Sequence, residues 1–420
     1  MAVNRRFVLP GEAGAGGQGG RAGTDSTRTS VFAAILAEGS LSRGDVADLL
    51  GVAPSTVTKA VTPLLADGYL EETDAARTPA PSLGRPSKRL RVNKARHAAI
   101  GVKICQDRLI GVLTNLRTEI MDHRLVRLPE HSPGAVLDAV CELAATLAAS
   151  APADPDHVLG IGVGLSGHVD AEQRTSRHSA LLGWNDVDVA GEVGRRTGLP
   201  TVVGNDVNAL VVGQRWFGPA RDCASFAVVT VGAGIGCGLF LNGGLYTGTS
   251  GMAGEIGHVP VQPDGPVCNC GRRGCLEAVA SYDAVLRAIE ARGGPRCHDI
   301  DEAIDLARRG TGPDAAAAAA AFAEAGGALG RALAWLYNML NPEKLIIAGE
   351  GVKAQALFRP SMTEAVRAHT FSTAARDCDE TTILIDDTDW ARGAACLVID
   401  AAIGALELGP RTPGAPAARP

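Results

Sequence analysis

Residues 255–277 read EIGHVPVQPDGPVCNCGRRGCLE, and no other stretch limits so tightly what the chain can fold into. Three cysteines and one histidine crowd into a Gly- and Pro-rich segment bounded by two acids, Glu255 and Glu277. His258, Cys268, Cys270 and Cys275 offer one imidazole and three thiols, a set that suits a closed, tetrahedral Zn2+ site of the structural kind. The Cys-x-Cys pair can grip one ion, Gly271 and Gly274 let the backbone fold around it, and Cys275 closes the loop. A disulfide or unliganded buried thiols are the other readings of the same residues. Four protein ligands leave no open position for water, so an ion here would act mechanically, fixing His258 and, with it, Glu255.

At 420 residues the chain has room for two or three domains. Its charge is unevenly placed. Residues 1–97 carry 13 Lys/Arg against 9 Asp/Glu, a net +4, while the remainder carries −10. A basic front on an acidic body implies an anionic partner for the front part alone. No run of 18 strongly apolar residues is present, so no membrane span is expected. The opening MAVNRRFVLPGEAGAGGQGGRAG lacks the apolar core of a signal peptide. Residues 1–25 read as a disordered leader and 409–420 as a disordered tail. Ten cysteines without a secretion signal point to the reducing cytoplasm. Seven of them, Cys141, Cys223 and Cys237 included, lie singly in apolar surroundings and read as buried free thiols.

Residues 26–92 read as a winged helix-turn-helix. Val31, Phe32, Ile35 and Leu36 share one helical face. Ser42 looks like the N-cap of a second helix carrying Val46, Leu49 and Leu50. Gly51 supplies the turn, and Pro54 suits the first position of a third helix whose inner face is Val57, Val61, Leu64 and Leu65. Ser55, Thr56, Thr58 and Lys59 face outward, small or cationic as entry into a major groove requires. The following segment resembles a hairpin wing, and residues 85–96 hold six Lys/Arg and no acid. Arg43, Arg85, Lys88 and Arg89 join the four helix residues as expected DNA contacts.

From about Ala98 the texture is α/β. AAIGVKI, LIGVLTN and HRLVRL read as strands, AVLDAVCELAATLAAS as an amphipathic helix, and HVLGIGVGLSG as a strand entering a Gly-rich turn. TVVGNDVNAL is a strand and a helix start. SFAVVTVGAGIGCGLFLNGGLYTG restarts the pattern, followed by an Ala-rich helix, LIIAGEGV and a last strand, TILIDD. Two similar halves imply a two-lobed body with a cleft between the lobes.

These motifs carry a resemblance. GRPSKRLRVN, GNDVNA at 204–209, VGAGIGCGL at 231–239, GMAGEIGH at 251–258, CNCGRRGCLE at 268–277 and LNPEKLIIAGEGV at 340–352 together resemble the ROK family, which unites sugar kinases of the actin/hexokinase-like (ribonuclease H-like) fold with regulators bearing a winged helix-turn-helix. The resemblance implies one lobe over 98–217 plus a C-terminal helix at 390–406, and a second lobe over 218–389 holding the zinc loop. It places zinc on His258, Cys268, Cys270 and Cys275. It implies that Asn205, Asp206, Glu255, His258 and Glu277 contact sugar hydroxyls, Asp206 being the general base in the family's kinases.

Two small departures leave the sugar unnamed: Ser166 and Gly167 stand where the kinases often have Pro-Gly, and HSALLGW lacks the Asn that often precedes Gly-Trp. A third departure bears on activity. The kinases carry an Asp-x-Gly-Gly-Thr loop after the first strand, whereas this chain has Lys103, Ile104, Cys105, Gln106 and Asp107. An ammonium in place of the Asp opposes Mg2+, side chains obstruct the backbone approach to phosphate, and an added carboxylate repels it, so phosphoryl transfer is not expected. The leading expectation is a cytoplasmic, sugar-responsive regulator of carbohydrate metabolism, acting as a repressor on operator DNA as a homodimer or homotetramer. The rival is an ATP-dependent sugar kinase with an accessory DNA-binding module.

Overall fold

The computed structural model describes residues 21–73, 88–151, 157–308 and 311–405. The tail expected at 409–420 lies outside them, as do residues 1–20 of the expected leader. The front module comprises α1 (Arg21–Glu38), β1 (Leu41–Ser42), α2 (Arg43–Leu50), α3 (Pro54–Ala66), β2 (Leu70–Thr73) and β3 (Arg89–Val92). Residues 21–25 extend α1, since lengthening a helix already nucleated costs little.

The module folds for local reasons. Ser42 Oγ accepts the Asp45 N–H at 3.1 Å, and the Asp45 carboxylate accepts the Ser42 N–H at 2.9 Å, a reciprocal cap that starts α2. Gly51 ends α2 in the left-handed region at φ 62, and Pro54 opens α3. Val31, Phe32, Ile35, Val46, Val57, Val61 and Leu64 are fully buried. Leu49 departs from the expected inner face of α2: it is 53 % exposed, and Ala47 takes the interior place beside Val46. β2 and β3 pair antiparallel, with Leu70 opposite Val92, and β1 completes the sheet in the order β1-β3-β2. The tip of the wing, Arg85 included, lies outside the described residues.

In the body, β4 (Ala98–Ile104), β5 (Arg108–Asn115) and β6 (Ile120–Arg127) form an antiparallel meander. α4 (Pro133–Ala149) covers it, Leu143 and Leu147 filling the space left by the missing side chain of Gly111. Then come β7 (Val158–Leu165), a small sheet of β8 (His168–Val169), β9 (Thr175–Ser179) and β10 (Trp184–Asp188), helix α5 (Val189–Thr197), β11 (Thr201–Asn205) and α6 (Asp206–Trp216). A second sheet starts with β12 (Phe226–Val231), β13 (Ile235–Leu241) and β14 (Gly244–Tyr246). Helices α7 (Leu276–Ala280), α8 (Tyr282–Ala291), α9 (Ile300–Arg308) and α10 (Gly312–Leu340) follow, then β15 (Lys344–Ala348), α11 (Gln355–His369), β16 (Asp379–Thr382) and α12 (Asp387–Gly404).

The two large sheets are alike, five strands each, in the orders β11-β7-β4-β5-β6 and β14-β13-β12-β15-β16. The final strand is not where TILIDD placed it. β15 pairs in parallel with 379–382, Lys344 opposite Asp379 and Ile347 opposite Thr382. Beyond Ala348 the partner turns away at Gly349, so the pairing ends once Ile383 N–H has donated to Ile347 O at 2.9 Å. Ala-rich α10 lies flush on α11, because a side chain at Gly326 or Gly330 would collide with the backbone of Phe358 or Met362.

Two compact units divide the chain. Of the described residues, one takes in those within 1–163, 188–203 and 394–420; the other takes in those within 164–187 and 204–393. No single described helix is long and apolar enough to cross a membrane.

Candidate functional site

The Cys/His loop builds itself before any ion is considered. Cys268 N–H donates to Arg272 O at 2.7 Å and Gly271 N–H to Cys268 O at 2.9 Å, curling the CNCGRR turn. Gly274, at φ 66, lies so close to Gln262 that a Cβ would fall on its carbonyl oxygen. Leu276 N–H donates to Val259 O at 3.0 Å, joining the limb that carries His258 to the limb that carries Cys275.

The result brings four donors together. His258 Nδ1 is 3.6 Å from Cys268 Sγ, Cys270 Sγ is 3.7 Å from Cys275 Sγ, and all four donor atoms lie within 4.8 Å of one another. A tetrahedron around zinc, with bonds of about 2.0–2.3 Å, has edges of about 3.3–3.8 Å; these two separations match it, and the four donors lie close enough together to hold such an ion. The same 3.7 Å is far beyond a disulfide bond of about 2.05 Å. The crowded thiols titrate apart. Burial opposes ionisation of Cys270, but the Arg272 N–H and the neighbouring thiols outweigh it and draw its pKa down to about 7. Burial, reinforced by the other two thiols, pushes Cys275 up to about 12. A divalent cation would hold all three as thiolates.

A group of acids stands next to this loop. His258 presents Nδ1 to the thiols and turns Nε2 toward Glu255 Oε2, 4.0 Å away. Glu277, two residues beyond Cys275 in the first turn of α7, accepts the Ile235 N–H at 3.1 Å. The Glu255 carboxyl is held above its usual range, first by burial and then by Glu277 and Asp206, with His258 and His168 opposing. Glu255 thus lies within electrostatic reach of Asp206, His258 and Glu277. His168 is a member that the sequence reading missed. Its Nε2 lies 2.6 Å from Ser250 O, and nothing in the local sequence marks it beyond the Ser-Gly pair before it.

Asn205 behaves differently from its neighbours. Its Oδ1 accepts the N–H groups of Val207 and Asn208 at 2.9 and 3.3 Å, and its Nδ2 donates to Gly167 O at 3.0 Å. The side chain is committed to capping α6 and to the turn after β7. Asn205→Ala is expected to cost about 1 kcal/mol, as loss of an N-cap usually does, read as a lower urea midpoint.

In the front module, Ser55, Thr58 and Lys59 are exposed on α3, and Thr56 is half-buried. Of the other expected DNA contacts, Arg43, Lys88 and Arg89 are described, and each stands beside an acid of the module itself. Arg43 and Lys88 both pair with Glu72, at 2.8 and 2.7 Å, and hold its carboxyl below the usual range. Arg89 donates to Ser40 Oγ at 3.2 Å and stands 3.7 Å from Asp45.

Comparison with known proteins assigns this architecture. The ROK family pattern matches residues 99–401, and a winged helix-turn-helix DNA-binding pattern matches residues 24–71. The chain belongs to the ROK family. Among ROK relatives, the xylose repressor of Bacillus subtilis (strain 168) is 27% identical over 367 residues, spanning 87% of this chain and 93% of that protein. A solved ROK family transcriptional regulator, a homolog of the E. coli MLC protein, covers 91% of this chain and 98% of its own, with TM-score 0.76 and 27% identity. The ROK family glucokinase from Streptomyces griseus, solved with glucose and AMPPNP, covers 71% of this chain and 98% of its own, with TM-score 0.61 and 26% identity.

At residues 103–107, where ROK kinases were expected to differ, the chain makes a hairpin turn between β4 and β5. Cys105 N–H donates to Arg108 O at 2.9 Å, Lys103 is buried on β4, and Asp107 pairs with Arg108 at 2.9 Å.

Proposed function

We propose that this ROK protein is a sugar-responsive transcriptional repressor of carbohydrate metabolism. One observation carries the reading: its likeness to the xylose repressor and to the solved regulator runs through the DNA-binding module and the body together. In this reading α3 enters the major groove of operator DNA through Ser55, Thr56, Thr58 and Lys59, while Arg43, Arg85, Lys88 and Arg89 meet phosphates. A homodimer places two modules on a roughly palindromic site. The protein acts in the cytoplasm, where its operator lies.

Asp206, Glu255, Glu277 and the outward nitrogen of His258 take the sugar hydroxyls, and Asn205 holds Asp206 in position by capping its helix. Zn2+ on His258, Cys268, Cys270 and Cys275, when bound, supplies crosslinking and no catalysis. Sugar binding shifts operator affinity by about 5–150-fold, the usual size of such coupling. A gel-shift series with DNA upstream of this gene and of neighbouring sugar genes tests the reading. A specific shift released by one member of a sugar panel is expected; absence of any specific shift overturns it.

A second reading, an ATP-dependent sugar kinase, draws on Asp206, which opens α6 near the other carboxylates. Lys103 in place of the metal-holding Asp argues against it. A coupled ADP-release assay over hexoses, hexosamines and pentoses is expected to give no turnover. Turnover abolished by Asp206→Asn would favour the kinase.

A further inference from the structure

Two adjacent parallel strands end in glycine turns. β12 runs into Gly232, Ala233 and Gly234, and β15 runs into Gly349, Glu350 and Gly351. The crevice outside the carboxyl ends of such strands is the usual ligand position in α/β sheets, and turns of this kind offer backbone N–H groups to anions. Gly349 and Gly351 are small for a packing reason: a Cβ on either would stand 2.5 or 2.6 Å from the Val231 carbonyl oxygen. Gly232 is hemmed in by something else. A Cβ there would stand 2.6 Å from Glu350 Oε2, so the carboxylate of Glu350 lies directly on the Gly232 turn.

That placement is electrostatically self-consistent. Glu350 opens the short 3-10 turn Glu350–Ala354, which continues into α11. An acid at the start of a helical segment offsets the positive end of its dipole, the same role an anionic ligand would fill. A second acid borders the same loop. Glu277 Oε2 lies 3.1 Å from the point where a Cβ of Gly234 would be, and accepts the next N–H, that of Ile235. On the other side, Tyr282 N–H donates to Gly232 O at 3.0 Å. The glycine turn closes on itself, Gly232 N–H donating to Gly234 O at 3.1 Å, and carries a carboxylate at each end.

We propose that Glu350 excludes nucleotides from this ROK body: its carboxylate takes the space and the charge complement that a nucleotide phosphate would need at Gly232. The inference rests on the regulator reading and deepens it, because it makes the sugar signal independent of nucleoside triphosphate. Size and charge both contribute, and two substitutions separate them. Glu350→Gly removes both, while Glu350→Gln keeps the bulk and removes the charge.

The test is calorimetric titration of the full-length, zinc-loaded protein with Mg2+ and AMPPNP, for the parent chain and both variants. Glu350→Gly is expected to bind AMPPNP at least about tenfold more tightly than the parent, with Glu350→Gln in between. Equal affinities across the three proteins overturn the proposal, as does tight AMPPNP binding by the parent chain. Zinc content and operator gel shift, measured on the same preparations, report folding. A parent chain that bound no operator would sink the regulator reading alone, leaving the AMPPNP comparison to judge Glu350.

Discussion

Cys275→Ala empties the metal site and lowers the melting temperature by about 10 °C or more. Cys275 is fully buried, its Sγ is 3.7 Å from that of Cys270, and it is the last residue before α7. Zinc held by these four donors would tie the limb bearing Glu255 and His258 to the limb bearing Glu277. Backbone bonds, Leu276 N–H to Val259 O and Val261 N–H to Gly274 O among them, join the same limbs more weakly. Loss of a structural metal belongs to the few single changes that cost more than about 4 kcal/mol. For a unit of roughly 150–250 residues, each kcal/mol moves the melting temperature by about 2–4 °C. Sugar affinity falls with it, because Glu255 and Glu277 lose their common anchor. Operator binding survives, because Val31, Phe32, Val57 and Leu64 give the module a core of its own.

A chelator reproduces the effect without mutation. Acid helps it, since thiolate ligands must take up protons as the pH falls and the ion is then released. Cys297→Ala is the control: Cys297 is buried among apolar side chains away from the four donors, so zinc content stays unchanged. Zinc retained in Cys275→Ala at an unchanged melting temperature would refute the crosslink.

The parts that could be read from sequence are those whose determinants are local. Ser42, Gly51 and Pro54 delimit two helices within a dozen residues, and the helix-turn-helix followed from them. The metal donors sit in one loop, so their proximity needed no knowledge of the fold. Failures came where a distant partner decides. An eight-residue helix such as α2 has too few turns for periodicity to tell whether Ala47 or Leu49 faces inward. TILIDD has the composition of a strand, but the register of β15 gives the pairing to the polar residues before it. Asn205 has the right chemistry for a hydroxyl ligand, and its amide also caps α6 and meets Gly167, a structural role that residue type alone does not reveal. The contact of Glu350 with Gly232 joins two turns far apart in the chain, so no local pattern marks it.

Lys59→Glu will weaken operator binding by about a hundredfold or more and flatten its salt dependence. The expectation follows from how charge is distributed in the module. The wing and the start of α2 are rich in Lys/Arg, but Arg43 and Lys88 share Glu72, Arg91 holds Glu71 at 2.5 Å, and Arg89 stands by Asp45. Much of their charge is offset within the module, and each must leave or share its acid before meeting a phosphate. Lys59 is the one basic residue in α3, and it is exposed. A lysine in the groove also neutralises the phosphates that flank it, so losing its charge lowers the slope of log K against log salt by about one, and reversal adds a repulsion of similar size. Lys88→Ala should cost much less, because Lys88 must first leave Glu72, which Arg43 continues to neutralise. Sugar affinity and zinc content should not change in either variant. Operator affinity unaltered in Lys59→Glu, across a salt series, would remove α3 from the groove and with it the reading of this module as the DNA-recognition element.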